Sequence, residues 1–289
     1  MEPQTLAPTG DATTAVTAAP KDIKEAKKTP PLPKKLSQTA LGEMYQNLVL
    51  GLREFFKKNT IHRAVVGVSG GIDSALTLKI AVDALGGDNV TGIIMPELGV
   101  TRQENIDHAK MLCQFFGARY FYQPINPFLP DFFTTPWRPT EAAQGNTKAR
   151  VRCVLLYSYA NSANALVVGT SNKSEILLGY GTKFGDLAAD VEAIGELLKT
   201  EVFAVAEYIG MPKELLTKAP SAELVAGQTD EEELGARYVD MDRVLAHADK
   251  GMEACIEMGF PHSLVSMIFR RMEQNEHKRH MPPVISLHK

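Results

Sequence analysis

From Ser37 onward the apolar positions Leu41, Met44, Tyr45, Leu48, Leu52, Phe55 and Phe56 recur at three- and four-residue steps, which predicts an amphipathic helix with one face to bury. The period then changes. AVVGV at 64–68 is a short β-branched run, followed by glycines and a helical pattern over 75–85, the order strand, tight turn, helix. The same order returns as VTGIIM at 90–95, a helix near 102–117 (Ile106, Ala109, Lys110, Cys113), RYFYQPI at 119–125, a helix near 147–162 and ALVVGT at 165–170. Strands that alternate with helices and read as apolar on both faces predict an α/β fold, a parallel sheet covered on both sides. From Lys199 the pattern is mainly helical, and no internal repeat is visible.

Two stretches break the pattern. Residues 126–146 carry four prolines, four aromatics and the only tryptophan; a loop of about 20 residues within a compact domain usually carries function or lacks order, and the aromatics favour function. Residues 1–36 hold six of the 17 prolines and no aromatic residue, too little apolar surface to offset the entropy of ordering. They read as a disordered extension rather than a targeting peptide, because the Arg-rich amphipathic pattern is missing, and 37–289 reads as one domain.

Composition narrows the classes. The chain has 289 residues, 44% of them apolar, enough for a substantial core. Its formal charge is −3, and the N-terminal stretch holds six Lys against four acids, so the body is more acidic still; a bulk grip on nucleic acid is disfavoured. Cys113, Cys153 and Cys255 are odd in number, widely spaced and without a CxxC pair, which argues against a disulfide framework or zinc ribbon and for a reducing cytoplasm. Cys113 and Cys153 fall in apolar helix patterns and read as core. No run approaches the roughly 18 apolar residues of a membrane span.

GVSGGIDS, Gly67 to Ser74, carries the chemistry. A strand delivers the chain to a Gly-Gly turn that opens a helix, so backbone N–H groups and the positive helix end converge on one point and can cradle an anion. Gly70 and Gly71 permit close backbone approach, and the Ser69 and Ser74 hydroxyls can donate to phosphate oxygens. Asp73 would repel a bare phosphate, so its natural role is to hold Mg²⁺ that bridges phosphates. A Walker A loop fails at Ile72 and Asp73, and a dinucleotide GxGxxG fails on glycine spacing. The hexapeptide SGGIDS, at 69–74, matches the loop of the ATP pyrophosphatase class, which splits ATP between its α- and β-phosphates.

Distal motifs narrow the class. GNTKAR at 145–150, VVGTSNKSE at 167–175, GTKFGD at 181–186, KAPSAEL at 218–224, GQTDEEELG at 227–235 and EHKR at 276–279 occur in that order. From about Tyr45 to Pro282 the chain resembles the NAD synthetases, and SNKSE with GQTDEEELG resembles their archaeal-type branch. The resemblance implies a Rossmann-like, adenine nucleotide alpha hydrolase-like sheet with a helical C-terminal part. It also implies a ligase that amidates deamido-NAD with ammonia through an acyl-adenylate, with ATP as co-substrate, Mg²⁺ as cofactor, and a homodimer whose dinucleotide site lies at the interface. A carboxylate is a poor acylating agent, so such activation is what the chemistry requires, and the protein mainly positions groups and neutralises charge.

Residue roles follow by motif. The resemblance implies that Asp73 and Glu175 share Mg²⁺ and, with Lys183, form the catalytic set. Glu175 follows the strand 165–170 and so falls at the same sheet edge as the loop. ATP would meet Gly67, Val68, Ser69, Gly70, Gly71, Ile72, Asp73, Ser74, Thr170, Lys199 and Ser221, with Lys199 a point charge on phosphate; on residues alone Lys199 reads equally as an exposed lysine at a helix start. Arg150, Lys183, Asp190, His277 and Lys278 would bind deamido-NAD, Lys183 from a Gly-rich loop of the kind that closes over a reacting centre.

The chain departs from the family pattern in three places: Leu187 stands where glycine usually follows GTKFGD, Ala193 where proline commonly falls, and Tyr180-Gly181 where an aromatic pair is usual. Two alternatives remain: a GMP-synthetase-like enzyme of the same loop class, and a non-catalytic dinucleotide-binding regulator. The motifs fill the length after the N-terminal stretch and leave no room for a fused glutamine-hydrolysing domain, so free ammonia is the expected donor, with a separate glutaminase partner still open.

Overall fold

The computed structural model describes residues 36–218 and 229–287. The extension expected at 1–36, apart from residue 36, and Ser221 lie outside the described residues. Ser37 caps the first helix, α1 (Gln38–Lys58), its hydroxyl accepting from Ala40 N–H at 3.1 Å. Leu41, Tyr45, Val49, Leu52 and Phe56 form its buried face at the predicted spacing, and Lys57 and Lys58 sit favourably at its negative end.

Next come β1 (Arg63–Gly67), α2 (Ile72–Leu85), β2 (Val90–Ile94), α3 (Gln103–Phe115), β3 (Arg119–Tyr122), α4 (Leu129–Phe133), α5 (Glu141–Ala163), β4 (Ala165–Gly169) and α6 (Lys173–Leu178). All strands pair in parallel in the order β3-β2-β1-β4-β5, where β5 is Val191–Glu192. Val65 aligns with Thr91 on β2 and Val167 on β4. Ala64 and Val66 face the layer of α1, α2 and α7 (Lys199–Tyr208), while Val65 faces α4 and α5. Burying one such side chain contributes about 1.5–3 kcal/mol. After α8 (Lys213–Leu216), helices α9 (Asp230–Leu234), α10 (Tyr238–Leu245), α11 (Met252–Glu257) and α12 (His262–Gln274) enclose a second core with Leu178, Met241, Val244, Val265 and Ile268.

Differences from the pattern reading are local. The loop 126–146 is shorter than predicted, because Pro130 at the first helical turn starts α4 and Thr140, accepting from Ala143 N–H at 3.2 Å, starts α5. β5 has two residues, too few for any periodicity. Among the described residues no helix is long and apolar enough to cross a membrane. Strand order reverses between β1 and β4, and the crevice outside their carboxyl ends holds the candidate site.

Candidate active site

The loop after β1 is shaped by Gly70, whose φ is +82° and whose hypothetical Cβ would lie 2.1 Å from the carbonyl oxygen of Asn105 on α3. No other residue fits that backbone. Its serines brace it: Ser69 N–H donates to Ser74 Oγ at 3.2 Å, Ser74 Oγ donates to Gly71 O at 3.1 Å, and Gly71 N–H donates to Ser69 Oγ at 3.2 Å. Ser74 and Val68 both line the cavity, Ser74 with its hydroxyl bonded within the loop and Val68 with its N–H donating to Ile93 O at 3.0 Å within the sheet. The amides of Ile72, Asp73 and Ser74 open α2 and have no carbonyl of their own helix to bond, as an anion cradle requires.

Lys199, 2% exposed at the start of α7, lies between two acids: its Nζ is 2.6 Å from Asp73 Oδ2 and 3.1 Å from Glu175 Oε1. It is neither the exposed lysine nor the free-standing phosphate ligand of the two sequence readings. The remaining oxygens are also bonded. Asn172 Nδ2 donates to Asp73 Oδ1 at 2.9 Å, and Asn172 N–H to Glu175 Oε2 at 3.2 Å, within a capping box that starts α6. Burial alone would pull the Lys199 pKa down, but Asp73 and Glu175 more than offset this and hold it above the usual lysine range. Burial pushes Glu175 up to about 7, against the pull of Lys199. Asp242 of α10 anchors the cluster, accepting from Ser174 Oγ at 2.5 Å and Thr200 N–H at 2.8 Å.

Asp73, Glu175, Lys199, Thr170, Ser69 and Lys278 line one cavity of about 520 Å³. Its other wall is a clasp made by the turn after α12. Lys278 Nζ donates to Gly179 O at 2.7 Å and Gly181 O at 3.0 Å, Arg279 Nη1 to Leu177 O at 3.0 Å, and Asn275 Nδ2 to Leu178 O at 3.4 Å. Lys183 Nζ donates to the His277 carbonyl, and Arg150 donates to Lys183 O through Nε at 3.3 Å and Nη2 at 3.2 Å. Phe184, next to Lys183, holds φ +62°, a conformation that non-glycine residues adopt rarely.

Of the expected residues, Gly70, Arg150, Lys183, Asp190 and His277 stand outside the cavity wall; Gly70, Arg150, Lys183 and His277 are next in sequence to a residue in it, and Asp190 is bonded to Val167, which lines it. Asp190 Oδ2 accepts from Val167 N–H at 2.7 Å and so holds the sheet edge. Cys153 lines the cavity instead of sitting in the core, whereas Cys113 and Cys255 are buried. The aromatics of 126–146 do not reach the cavity; Asn146 alone of that stretch lines it, and Trp137 is 66% exposed. Sequence reasoning missed Asn172, for which the Asn-x-x-Glu spacing was a usable signal. It also assigned no role to Asp186, Asp230 and Glu233, although they lie in the motifs GTKFGD and GQTDEEELG, nor to Arg271, for which no local signal existed; all four are in the wall.

The donor set can be tested against Mg²⁺. Asp73 and Glu175 reach the same ammonium nitrogen, so they are close enough to share one cation of similar size. No group of three or more His, Cys, Asp or Glu side chains is gathered for a metal among the described residues. The set fits a hard ion that draws its remaining oxygens from phosphates and water.

Comparison with known proteins gives a consistent pattern. The model of the family described as NAD synthase matches residues 44–282. The chain is 44% identical to the NH(3)-dependent NAD(+) synthetase of Methanocaldococcus jannaschii, over 84% of this chain and 96% of that protein. Two solved structures are similar at 32% identity. An NMN synthetase from Francisella tularensis has a TM-score of 0.78 and covers 87% of this chain and 100% of its own. An NH3-dependent NAD synthetase from Campylobacter jejuni, in complex with nitrate, has a TM-score of 0.73 and covers 85% and 99%.

Proposed function

We propose that this chain, which belongs to the NAD synthase family, catalyses the ATP-dependent amidation of deamido-NAD with ammonia to give NAD, AMP and pyrophosphate. The observation that carries the reading is that the phosphate loop, the Asp73–Glu175 pair and Lys278 face one cavity. We read residues 37–289 as one synthetase domain.

In the first step the nicotinate carboxylate oxygen attacks the α-phosphorus of ATP, the bond from that phosphorus to the bridging oxygen breaks, and pyrophosphate leaves. In the second, ammonia adds to the acyl carbon, loses a proton and expels AMP. The amides of Ile72, Asp73 and Ser74, with the Ser69 hydroxyl and Thr170, bind ATP phosphates; Gly67, Gly70 and Gly71 let the chain approach them closely. Asp73 and Glu175 would hold Mg²⁺, which when bound supplies charge neutralisation at the phosphates. Lys199 keeps the two carboxylates together and offers the phosphates a fixed positive charge.

Arg150, Lys183, Asp190 and His277 are assigned to the rim of the dinucleotide site, completed by a second copy of the chain. Supporting this, edge strand β3 and the outward side of α5 carry Phe121, 54% exposed, and Val154, 60% exposed. Light scattering at micromolar concentration giving the monomer mass would count against the dimer.

The test is direct. Incubation with ATP, Mg²⁺, ammonium and deamido-NAD should yield NAD, AMP and pyrophosphate. Formation of ADP, or binding without turnover, overturns the reading, the latter in favour of a regulator. The similarity to the Francisella NMN synthetase makes nicotinate mononucleotide the competing substrate. A higher kcat/KM for it than for deamido-NAD would move the assignment to the mononucleotide, and glutamine in place of ammonium should give no product.

A further inference from the structure

Arg271 lies on α12, lines the cavity, and was assigned by neither the sequence motifs nor the roles above. Its Nε is buried and has no hydrogen-bond partner, and among the described residues its guanidinium makes no ion pair. Leaving a donor on a buried cation unmet is costlier than leaving a neutral one unmet, so such a group survives where something else uses it. One charged neighbour of Arg271 is another cation. Lys278, one turn beyond the end of α12, has a pKa pulled down by burial and further by Arg271, with Asp186 opposing. Its ammonium is already fixed on the carbonyls of Gly179 and Gly181 and makes no ion pair with a carboxylate.

Lys278 has Asp186 as a counter-charge in the same wall, whereas among the described residues Arg271 has no carboxylate at ion-pair distance, so its unmet donor points to an anion from outside. The place of the two cations in the fold narrows which one. Glu175 is in the first turn of α6, on the phosphate-loop side, whereas Lys278 grips Gly179, the residue that caps the other end of that helix. The loop amides and the two carboxylates with their metal already account for the ATP phosphates. We propose that Arg271, with Lys278, is the receptor for the diphosphate bridge of the dinucleotide substrate, a positioning residue that holds deamido-NAD while its carboxylate reacts. The proposal rests on the amidating reading above.

The experiment uses the full chain without metal and the variants Arg271→Met and Arg271→Lys, titrated calorimetrically with deamido-NAD, NAD and ATP. Arg271→Met should weaken deamido-NAD and NAD alike by about tenfold or more and leave ATP within about twofold, with Arg271→Lys recovering part of the loss. Its melting temperature should be unchanged or higher, since an unpaired buried charge has been removed; a residue that merely held the fold would lower it. Weakening of ATP as much as of the dinucleotides, weakening of deamido-NAD but not NAD, or unchanged affinities would each overturn the proposal. The second result would place the guanidinium on the nicotinate carboxylate instead. A wild-type protein that binds the dinucleotide but makes no NAD would refute the enzymatic reading and leave the binding result standing.

Discussion

At the phosphate-loop end of the cavity each oxygen of Asp73 and Glu175 has a protein partner, and Lys199 balances both acids from a fully enclosed position. At the other end Lys278 is tied to backbone carbonyls, as are Lys183 and Arg150 just outside the wall; this holds them in place without cancelling their charge. The first end is complete within the chain. The second sets Lys278 and Arg271 among Asp186, Asp230 and Glu233, and among the described residues neither cation is paired directly with a carboxylate. A site that must hold two phosphorylated substrates thus has ends of two kinds. One balances its acids with an enclosed lysine, and the other fixes its cations on backbone carbonyls.

The largest test of this contrast is Lys199→Met. It strands two buried carboxylates and should destabilise the fold by about 3–5 kcal/mol, read from the shift of the urea unfolding curve. An unshifted curve would mean that the acids do not need the lysine. Next are Asp73→Asn and Glu175→Gln, each expected to lower turnover about a hundredfold or more, as loss of a charged metal ligand does, while binding of deamido-NAD in the absence of metal stays near normal. Activity within a few-fold of the wild type in either variant would refute the shared ion.

Smaller effects probe the clasp. Gly181 and Leu187 are two of the departures noted from the expected family pattern; a Cβ at 181 would lie 2.8 Å from Leu187 Cγ. The two departures fill one space between them. Gly181→Phe alone should cost about 1–3 kcal/mol by overpacking, and adding Leu187→Gly should recover about 1 kcal/mol or more in a double-mutant cycle. Additive losses would show the two positions to be independent.

The smallest effect concerns Glu192, which lies behind the phosphate-loop end and accepts from Ser171 N–H at 3.1 Å. Burial, against that hydrogen bond, raises its pKa from 4.5 to about 8, so near neutrality it adds little negative charge to the balanced end. The folded form binds the proton more tightly than the unfolded form. Its contribution to stability is therefore full below about pH 4.5 and is lost as pH rises through about 8. Glu192→Gln should remove that part of the slope, gaining on the order of 1 kcal/mol over wild type at pH 9 and nothing at pH 4. Parallel melting-temperature profiles would contradict the buried, protonated state.

The two ends also differed in how far the sequence disclosed them. Gly67–Ser74 is one contiguous stretch whose turn, helix start and acid are set by neighbours, so strand, loop and Asp73 were readable from residues alone. The parallel sheet was readable for the same reason, since β1, β2 and β4 are runs of five residues with apolar patterning. The clasp depends on hydrogen bonds such as Lys278 to Gly179, 99 positions apart, and Arg279 to Leu177, 102 apart. No local periodicity encodes these. Lys199 looked ordinary because burial is a property of the packing around α7, and Arg271 was one basic residue on an amphipathic helix.

The clasp also has a consequence for the order in which the molecule is made. The stretch 177–183 leaves the ribosome about a hundred residues before the segment 275–279 that grips it, and the phosphate loop about two hundred before. At about 5–20 residues per second, the nascent chain spends roughly 5–20 s with the sheet and Asp73 in place and the facing wall ungripped. The wall is gripped by a segment synthesised about a hundred residues after the stretch it holds, so a chain not yet that long carries the acids Asp73 and Glu175 without that grip.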